Sequence, residues 1–178
     1  FSLMEHLHLL HGTRVDHYQV TGTSDPKDTG QVLPYAGLVY DLNDNYSLYA
    51  SYTEIYLPQT AFRDVGNKML EPDEGTNYEL GLKGEFYDGR LNASLAYFEV
   101  HEENRAESDT TYSGVSLVDN PYKGITAKTK GYEAEISGEL APGWQLQAGY
   151  THKIIRDQSG VKVSTWEPED QVNFYTTY

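Results

Sequence analysis

Residues 71–98, EPDEGTNYELGLKGEFYDGRLNASLAYF, read as two strands joined by a tight turn. From Tyr78 the residues Tyr78, Leu80, Leu82, Gly84 and Phe86 fall on one face of a pleated strand. Glu79, Gly81, Lys83, Glu85 and Tyr87 fall on the other. Asp88-Gly89 suits the positive backbone angles of a hairpin turn, and Leu91, Ala93, Leu95 and Tyr97 then repeat the pattern on the returning strand. One face is oily and the other polar, so the fold turns on whether the oily face meets a protein core or a bilayer.

The composition leaves that choice open. The 178 residues suffice for one domain, and 38% hydrophobic content provides no apolar run near the roughly 20 residues of a membrane helix. A membrane β-barrel escapes that test because its apolar residues are hidden in alternation. The 16 tyrosines, against 5 phenylalanines and 2 tryptophans, suit membrane–water boundaries, and equally a soluble tyrosine-rich sandwich that binds carbohydrate. A net charge of −14 argues against nucleic acid, whose phosphates require a basic surface, and disfavours an anionic partner. With no cysteine, disulfides, thiolate metal sites and a cysteine nucleophile are excluded as well. The sequence opens at Phe1 without a basic or apolar leader pattern, so any signal peptide has been removed or lies outside these residues, and localisation is not readable from a targeting segment.

The order of connections carries more. Strands are predicted over residues 3–19, 32–42, 46–56, 75–87, 90–101, 130–140 and 144–151, with a last one carrying Val172, Phe174, Thr176 and Tyr178 on one face. Polar loops at 21–31, 57–73, 102–126 and 156–168 alternate with turns near 43, 88 and 142. Short turns on one rim and long loops on the other describe an outer-membrane barrel, giving an all-β, up-and-down antiparallel meander of about eight strands. The inward face would carry Glu79, Lys83, Glu85, Glu133, Glu135, Glu139, Gln145 and Gln147. These would crowd a small lumen and point to a wide one; Lys83 pairing with glutamates inside a narrow barrel is the alternative.

Three stretches resemble the barrel region of TonB-dependent ferric-siderophore receptors: residues 70–98, PYAGLVYDLNDNYSLYASYTEIYLPQT at 34–60, and KGYEAEISGELAPGWQLQAGYTH at 130–152. The resemblance covers nearly the whole chain, in the family's order. It implies a segment, residues 1–178, of the C-terminal half of a 22-stranded outer-membrane barrel, with neither the family's plug domain nor its TonB box in view. By itself such a segment would expose two sheet edges, unless it closed or paired with another copy. The function implied is binding of a ferric siderophore and its import with energy from TonB, in outer-membrane lipid, with iron carried by the siderophore and no cofactor of the protein's own. A small structural or adhesion barrel and a soluble carbohydrate-binding β-domain are the alternatives.

On the resemblance, aromatic and hydrogen-bonding residues of the long loops should line a siderophore pocket. By position these are Tyr56, Phe62 and Arg63 after the third strand, and Arg105, Tyr112, Tyr122 and Lys123 after the fifth; each also has a plain reading as a loop-packing or girdle residue. Glu102, Glu103, Glu107, Asp109 and Asp119 make the second loop acidic. That favours a hydroxamate-type or mixed ligand over a triply anionic catecholate. No enzyme motif is present: Ser51, His101 and Asp109 compose a triad only on paper. His6 and His8, at i and i+2, lack a third metal ligand.

Overall fold

The computed structural model describes residues 2–21, 27–110 and 112–178. They form one antiparallel sheet whose strands lie side by side in chain order. The strands are β1 (Ser2–Met4), β2 (Leu7–Val20), β3 (Lys27–Asn43), β4 (Tyr46–Leu57), β5 (Asp73–Phe86), β6 (Leu91–Ser108), β7 (Tyr122–Ala141), β8 (Trp144–Asp157) and β9 (Asp170–Thr177). The expected meander of about eight long strands is present as β2–β9. The expected first strand, 3–19, is broken at Glu5-His6, where the three-residue β1 turns back on β2. The polar stretch read over 21–31 falls partly on 22–26, outside the described residues, and β3 already begins at Lys27.

Connection lengths alternate without exception. Residues 5–6, 44–45, 87–90 and 142–143 make short turns, while the long connections that leave Leu57, Ser108 and Asp157 lie on the opposite rim, level with the ends of β2 at Val20 and β3 at Lys27. At the turn in the decisive hairpin, Tyr87, Asp88 and Gly89 all take positive φ, of 57, 56 and 82°. Beyond the long-loop end of the sheet's lower half, β6 and β7 continue as a tall ribbon, so the expected loop 102–126 shrinks to 109–121. The reason is local: β6 carries a bulge between Glu102 and Arg105, with Asn104 at φ 61°, after which pairing with β7 resumes up to Ser108↔Tyr122.

Register assigns the faces. Leu38, Ala50 and Leu80 lie in one cross-strand row, and Leu48, Leu82, Leu95 and Ala134 in the next. All sit on the outward face, where Leu80, Leu95, Leu38 and Leu48 are exposed. Nothing in the sheet covers them, and among the described residues no side chain is completely buried. The few buried apolar groups, such as Tyr56, Met69 and Ile155, gather toward the long-loop rim, apart from Leu91 beside the turn at 87–90 and Ala96, which lies opposite Gly81 and Glu133. The inward face carries the polar set expected from the sequence, in the rows Ser51–Glu79, Ser47–Lys83–Ser94–Glu135 and Glu139–Gln145. Tyr49 lies across Gly81, where a Cβ would come within 2.4 Å of its ring, and its hydroxyl donates to Glu79. Lys83 sits 4.6 Å from the centre of the same ring.

The outward face ends in tyrosines. Tyr52 and Tyr78 are direct partners, ring centres 5.3 Å apart; Tyr97 and Tyr132 pair with each other, and Tyr150 stands opposite Ala134. The belt thus steps down the ladder by one pair between β5 and β6 and by another between β7 and β8. Tilted strands require such steps if the belt is to stay level. At each strand the next outward residue toward the long loops is polar: Glu54, Thr76, Glu99, Lys130 and His152. Toward the other rim Tyr46 meets Phe86 edge-on at 5.7 Å, and the Trp144 indole donates to Thr176. Tyr78 to Phe86 spans nine residues, about the length a tilted strand needs to cross a bilayer.

Placing a lysine at the centre of the oily band should therefore cost far more than placing one on the inward face. Leu82→Lys should destabilise the folded barrel by about 2–4 kcal/mol, and Gln147→Lys by less than about 1 kcal/mol. Denaturant titration of the vesicle-inserted receptor carrying this chain checks it; equal losses would contradict the face assignment.

Candidate functional site at the long-loop rim

Above the tyrosine belt the wall is sealed by two polar clamps. Gln59, buried just after β4, donates through Nε2 to the carbonyls of Glu71 at 2.7 Å and Asn104 at 2.6 Å. Its Oε1 accepts from the Ala106 amide at 3.0 Å. One side chain thereby ties the 58–72 loop to the β6 bulge. The bulge sets the second clamp. Glu102 pairs with Ala127 and Arg105 with Ile125, two residues apart on β7, so both side chains leave β6 on the same face. Arg105 Nη1 donates to both Glu102 oxygens at 2.9 and 3.0 Å, and its Nη2 donates to Glu167 at 2.5 Å. Lys153 also donates to Glu167, which fastens the 158–169 loop to the sheet.

Asp73 lies beside this network with its Oδ1 buried and without a hydrogen-bond partner. Burial pushes its carboxyl up to about 6, the neighbouring Glu102 charge adds to the rise, and Arg105 opposes it.

The seven residues expected to line a pocket separate into three groups. Phe62 and Tyr122 pack together, ring centres 4.7 Å apart, and the Tyr122 amide donates to the Arg63 carbonyl at 2.7 Å. Lys123 forms an ion pair with Asp109 at 3.2 Å, and the Asp109 amide bonds the Pro121 carbonyl. Tyr112 stands nearby in the 109–121 loop, half exposed, its hydroxyl donating to Val115. That loop is joined to the first by the Leu117 amide on the Val65 carbonyl. Phe62, Arg63, Tyr112, Tyr122 and Lys123 therefore belong to one assembly of two long loops and the tip of the β6–β7 ribbon.

Arg105 and Tyr56 stand apart from that assembly. Arg105 lies within β6, committed to two carboxylates, and Tyr56 is the buried penultimate residue of β4, its ring 6.1 Å from that of Tyr18. Val115 and Leu117, strongly exposed on the same loop, and Gln59, Asp73, Lys153 and Glu167 beneath it, were not singled out in the sequence. Their partners lie up to 62 residues away, as in Arg105–Glu167, beyond the reach of any periodic signal.

Ser51 lies on the inward face and His101 on the outward one, bonded to Glu99, while Asp109 holds Lys123; the paper triad is not assembled. His8 bonds Asp41 at 2.9 Å, and among the described residues no group of three or more metal-ligating side chains converges.

An antiparallel meander with alternating rims, an exposed apolar band between aromatic belts and a polar inner face defines the wall of an outer-membrane β-barrel. The chain belongs to the TonB-dependent receptor family: the model described as TonB dependent receptor-like, beta-barrel, matches residues 1–178. It is 64% identical over its whole length to the ferripyoverdine receptor of Pseudomonas aeruginosa, and 40% identical to the ferric-pyoverdine 358 receptor of Pseudomonas putida. The chain spans 22% and 23% of the length of those two relatives. The crystal structure of the P. aeruginosa ferripyoverdine receptor bound to ferripyoverdine superposes with a TM-score of 0.83 and 63% identity, over 99% of this chain and 24% of that one. The alcaligin outer-membrane receptor FauA of Bordetella pertussis gives 0.75 and 37%, over 100% and 32%. Members of the family are receptors of the outer membrane, not enzymes. The soluble sugar-binding reading and the small-barrel reading are thereby set aside.

The raised Asp73 carboxyl makes the rim sensitive to pH. Its folded value lies above the ordinary value near 4, so between about pH 4 and 6 the folded chain holds the extra proton, and stability falls as pH rises through 6. Amide exchange in residues 58–72, corrected for its intrinsic pH dependence, should be faster at pH 7 than at pH 5. Asp73→Asn should abolish the difference; a variant that kept it would assign the effect elsewhere.

Proposed function

We propose that this chain is a stretch of barrel wall from a receptor that binds a ferric siderophore of the pyoverdine type and imports it with energy from TonB. The observation that carries the reading is the 64% identity, over the whole length of the chain, to a ferripyoverdine receptor. In this reading residues 1–178 are one barrel segment, and its exposed edge strand β9 continues the sheet into neighbouring strands of a longer protein, since an unpaired edge is not tolerated in lipid. The plug domain and TonB box that the family carries would lie in that longer protein.

The wall and its rim then divide the work. The clamps of Gln59 and Arg105 hold the loops above the lumen, while Phe62, Arg63, Tyr112, Tyr122 and Lys123 offer aromatic faces and two cations toward the ligand. The siderophore's own oxygens hold the iron, so this segment supplies a pocket rather than iron ligands. With Glu102 held by Arg105, Asp109 by Lys123 and Glu103 turned outward, Glu107 and Asp119 are the acidic residues left to disfavour a triply anionic tricatecholate, and a mixed-type ligand such as pyoverdine meets less repulsion.

Radioactive-iron uptake and equilibrium binding by the receptor carrying this segment test the proposal. Phe62→Ala combined with Tyr122→Ala should weaken ferripyoverdine binding at least about tenfold. Trp144→Phe, on the opposite rim, should leave it unchanged. Wild-type affinity in the double variant would remove this rim from the site, and preference for a ferric tricatecholate over ferripyoverdine would overturn the ligand class.

A further inference from the structure

The inner side of the rim carries more negative charge than its clamps neutralise. Past the bulge Arg105 pairs with Ile125 and Glu107 with Lys123, so alternation puts Glu107 and Lys123 on the same inward face as Arg105 and Glu102. Asp73, Glu102, Glu107 and Asp109 bring carboxylates to this side, and Glu167 adds another from the 158–169 loop. The cations that meet them are fewer. Arg105 holds Glu102 and Glu167, Lys153 also holds Glu167, and Lys123 holds Asp109. Lys123 stands directly opposite Glu107 on the ladder, yet its ion pair is with Asp109 at 3.2 Å. Among the described residues no cation pairs with Glu107. Its carboxylate is held all the same: Ser164, 3% exposed, donates its hydroxyl to Glu107 Oε2 at 3.1 Å. Ser164 takes φ 51° and its carbonyl accepts the Glu167 amide at 2.9 Å, so the turn that Arg105 fastens also aims Glu107.

We propose that Glu107 receives a cationic group of the siderophore, an ammonium or guanidinium on its peptide arm, and thereby selects ferric siderophores that carry one. The inference rests on the siderophore-receptor reading above and names the ligand chemistry at one point of that site. A neutral hydroxyl donor leaves the charge of Glu107 in place, and a half-buried carboxylate without a cation gains most when one arrives. Oε2 stays with Ser164, which leaves Oε1 to accept from the incoming N–H group. Because the ribbon and the buried serine orient the carboxylate beforehand, little ordering is left to be done on binding. The discrimination follows from what the wrong ligand leaves behind. A neutral group at this point keeps Glu107 unpaired, and a ligand whose charges are all negative meets it as repulsion.

The test uses the purified receptor carrying this segment. Calorimetric titration would compare a ferripyoverdine bearing a free lysine or ornithine amine with the same complex after acetylation of that amine, which leaves the iron chelate untouched. The wild type should bind the free-amine form at least about fivefold more tightly at low salt, and the preference should shrink as salt rises. Glu107→Gln keeps an oxygen for Ser164 but removes the charge. It should weaken the free-amine complex and bring the two affinities within about twofold of each other, while Glu107→Asp should retain part of the preference. Equal affinity of the wild type for the two forms would overturn the proposal, as would an undiminished preference in Glu107→Gln. Equal losses for both forms in that variant would make Glu107 a fastening for the 158–169 loop and overturn it as well. A wild type that bound neither form would remove the siderophore reading itself, and the proposal with it.

Discussion

In hydrocarbon every backbone N–H and C=O must be paired within the protein, and the rest of this structure follows from that demand. The strands answer it with uninterrupted ladders wherever they cross the oily band. Their irregularities are pushed outside it. The bulges at Asp41/Asn43 and Glu139/Ala141 sit at the short-turn rim, and the one at Glu102/Arg105 lies above the tyrosine belt. That last bulge is productive because it stands where water and side chains can satisfy freed groups. Gln59 bonds the backbone there, and Arg105 gathers carboxylates from β6 and from the 158–169 loop.

The same demand separates two kinds of surface on one sheet. Outward residues face a solvent that rewards leucine and tolerates tyrosine only at its margins. The belt therefore shifts down the ladder from Tyr78 to Tyr97 and from Tyr132 to Tyr150 as the strands tilt. Inward residues such as Glu79, Lys83 and Glu135 lie in rows with polar neighbours such as Ser51, Ser47 and Ser94. The rim inherits both worlds, which is why polar clamps such as Arg105–Glu102 and outward cations such as Lys130 occur at similar height on opposite sides of one wall.

The fold was legible because its signal has a period of two, repeated in each long strand and punctuated by turns such as Asp88-Gly89 and Pro142-Gly143. The faces, the alternation of rims and the polar lumen followed from that pattern alone. The height of the β6–β7 ribbon was not legible. Residues 102–108 and 122–129 are as polar as any loop, and only pairing between them, past a bulge, makes them strand. The candidate site was readable only in part for a related reason. Loop aromatics and cations can be named from their position after a strand, and Phe62, Tyr122 and Lys123 lie together at the rim. The polar clamps depend on contacts such as Arg105–Glu167 and Gln59–Asn104, which exist only once four strands are in register. Arg105 was named for its charge, but its commitment to Glu102 and Glu167 was invisible in the sequence.

The central claim is that even-numbered residues of β7 below Lys130 face lipid and odd-numbered ones face the lumen. The chain contains no cysteine, so single cysteines introduced along residues 126–140 can each carry a spin label in the membrane-inserted receptor. The expected result is a period-two profile, with residues 132, 134, 136 and 140 accessible to dissolved oxygen, 133, 135 and 137 accessible to a water-soluble nickel complex, and the outward series turning from oxygen to nickel at 130. Uniform nickel access, or oxygen access on the odd-numbered residues, would contradict the account.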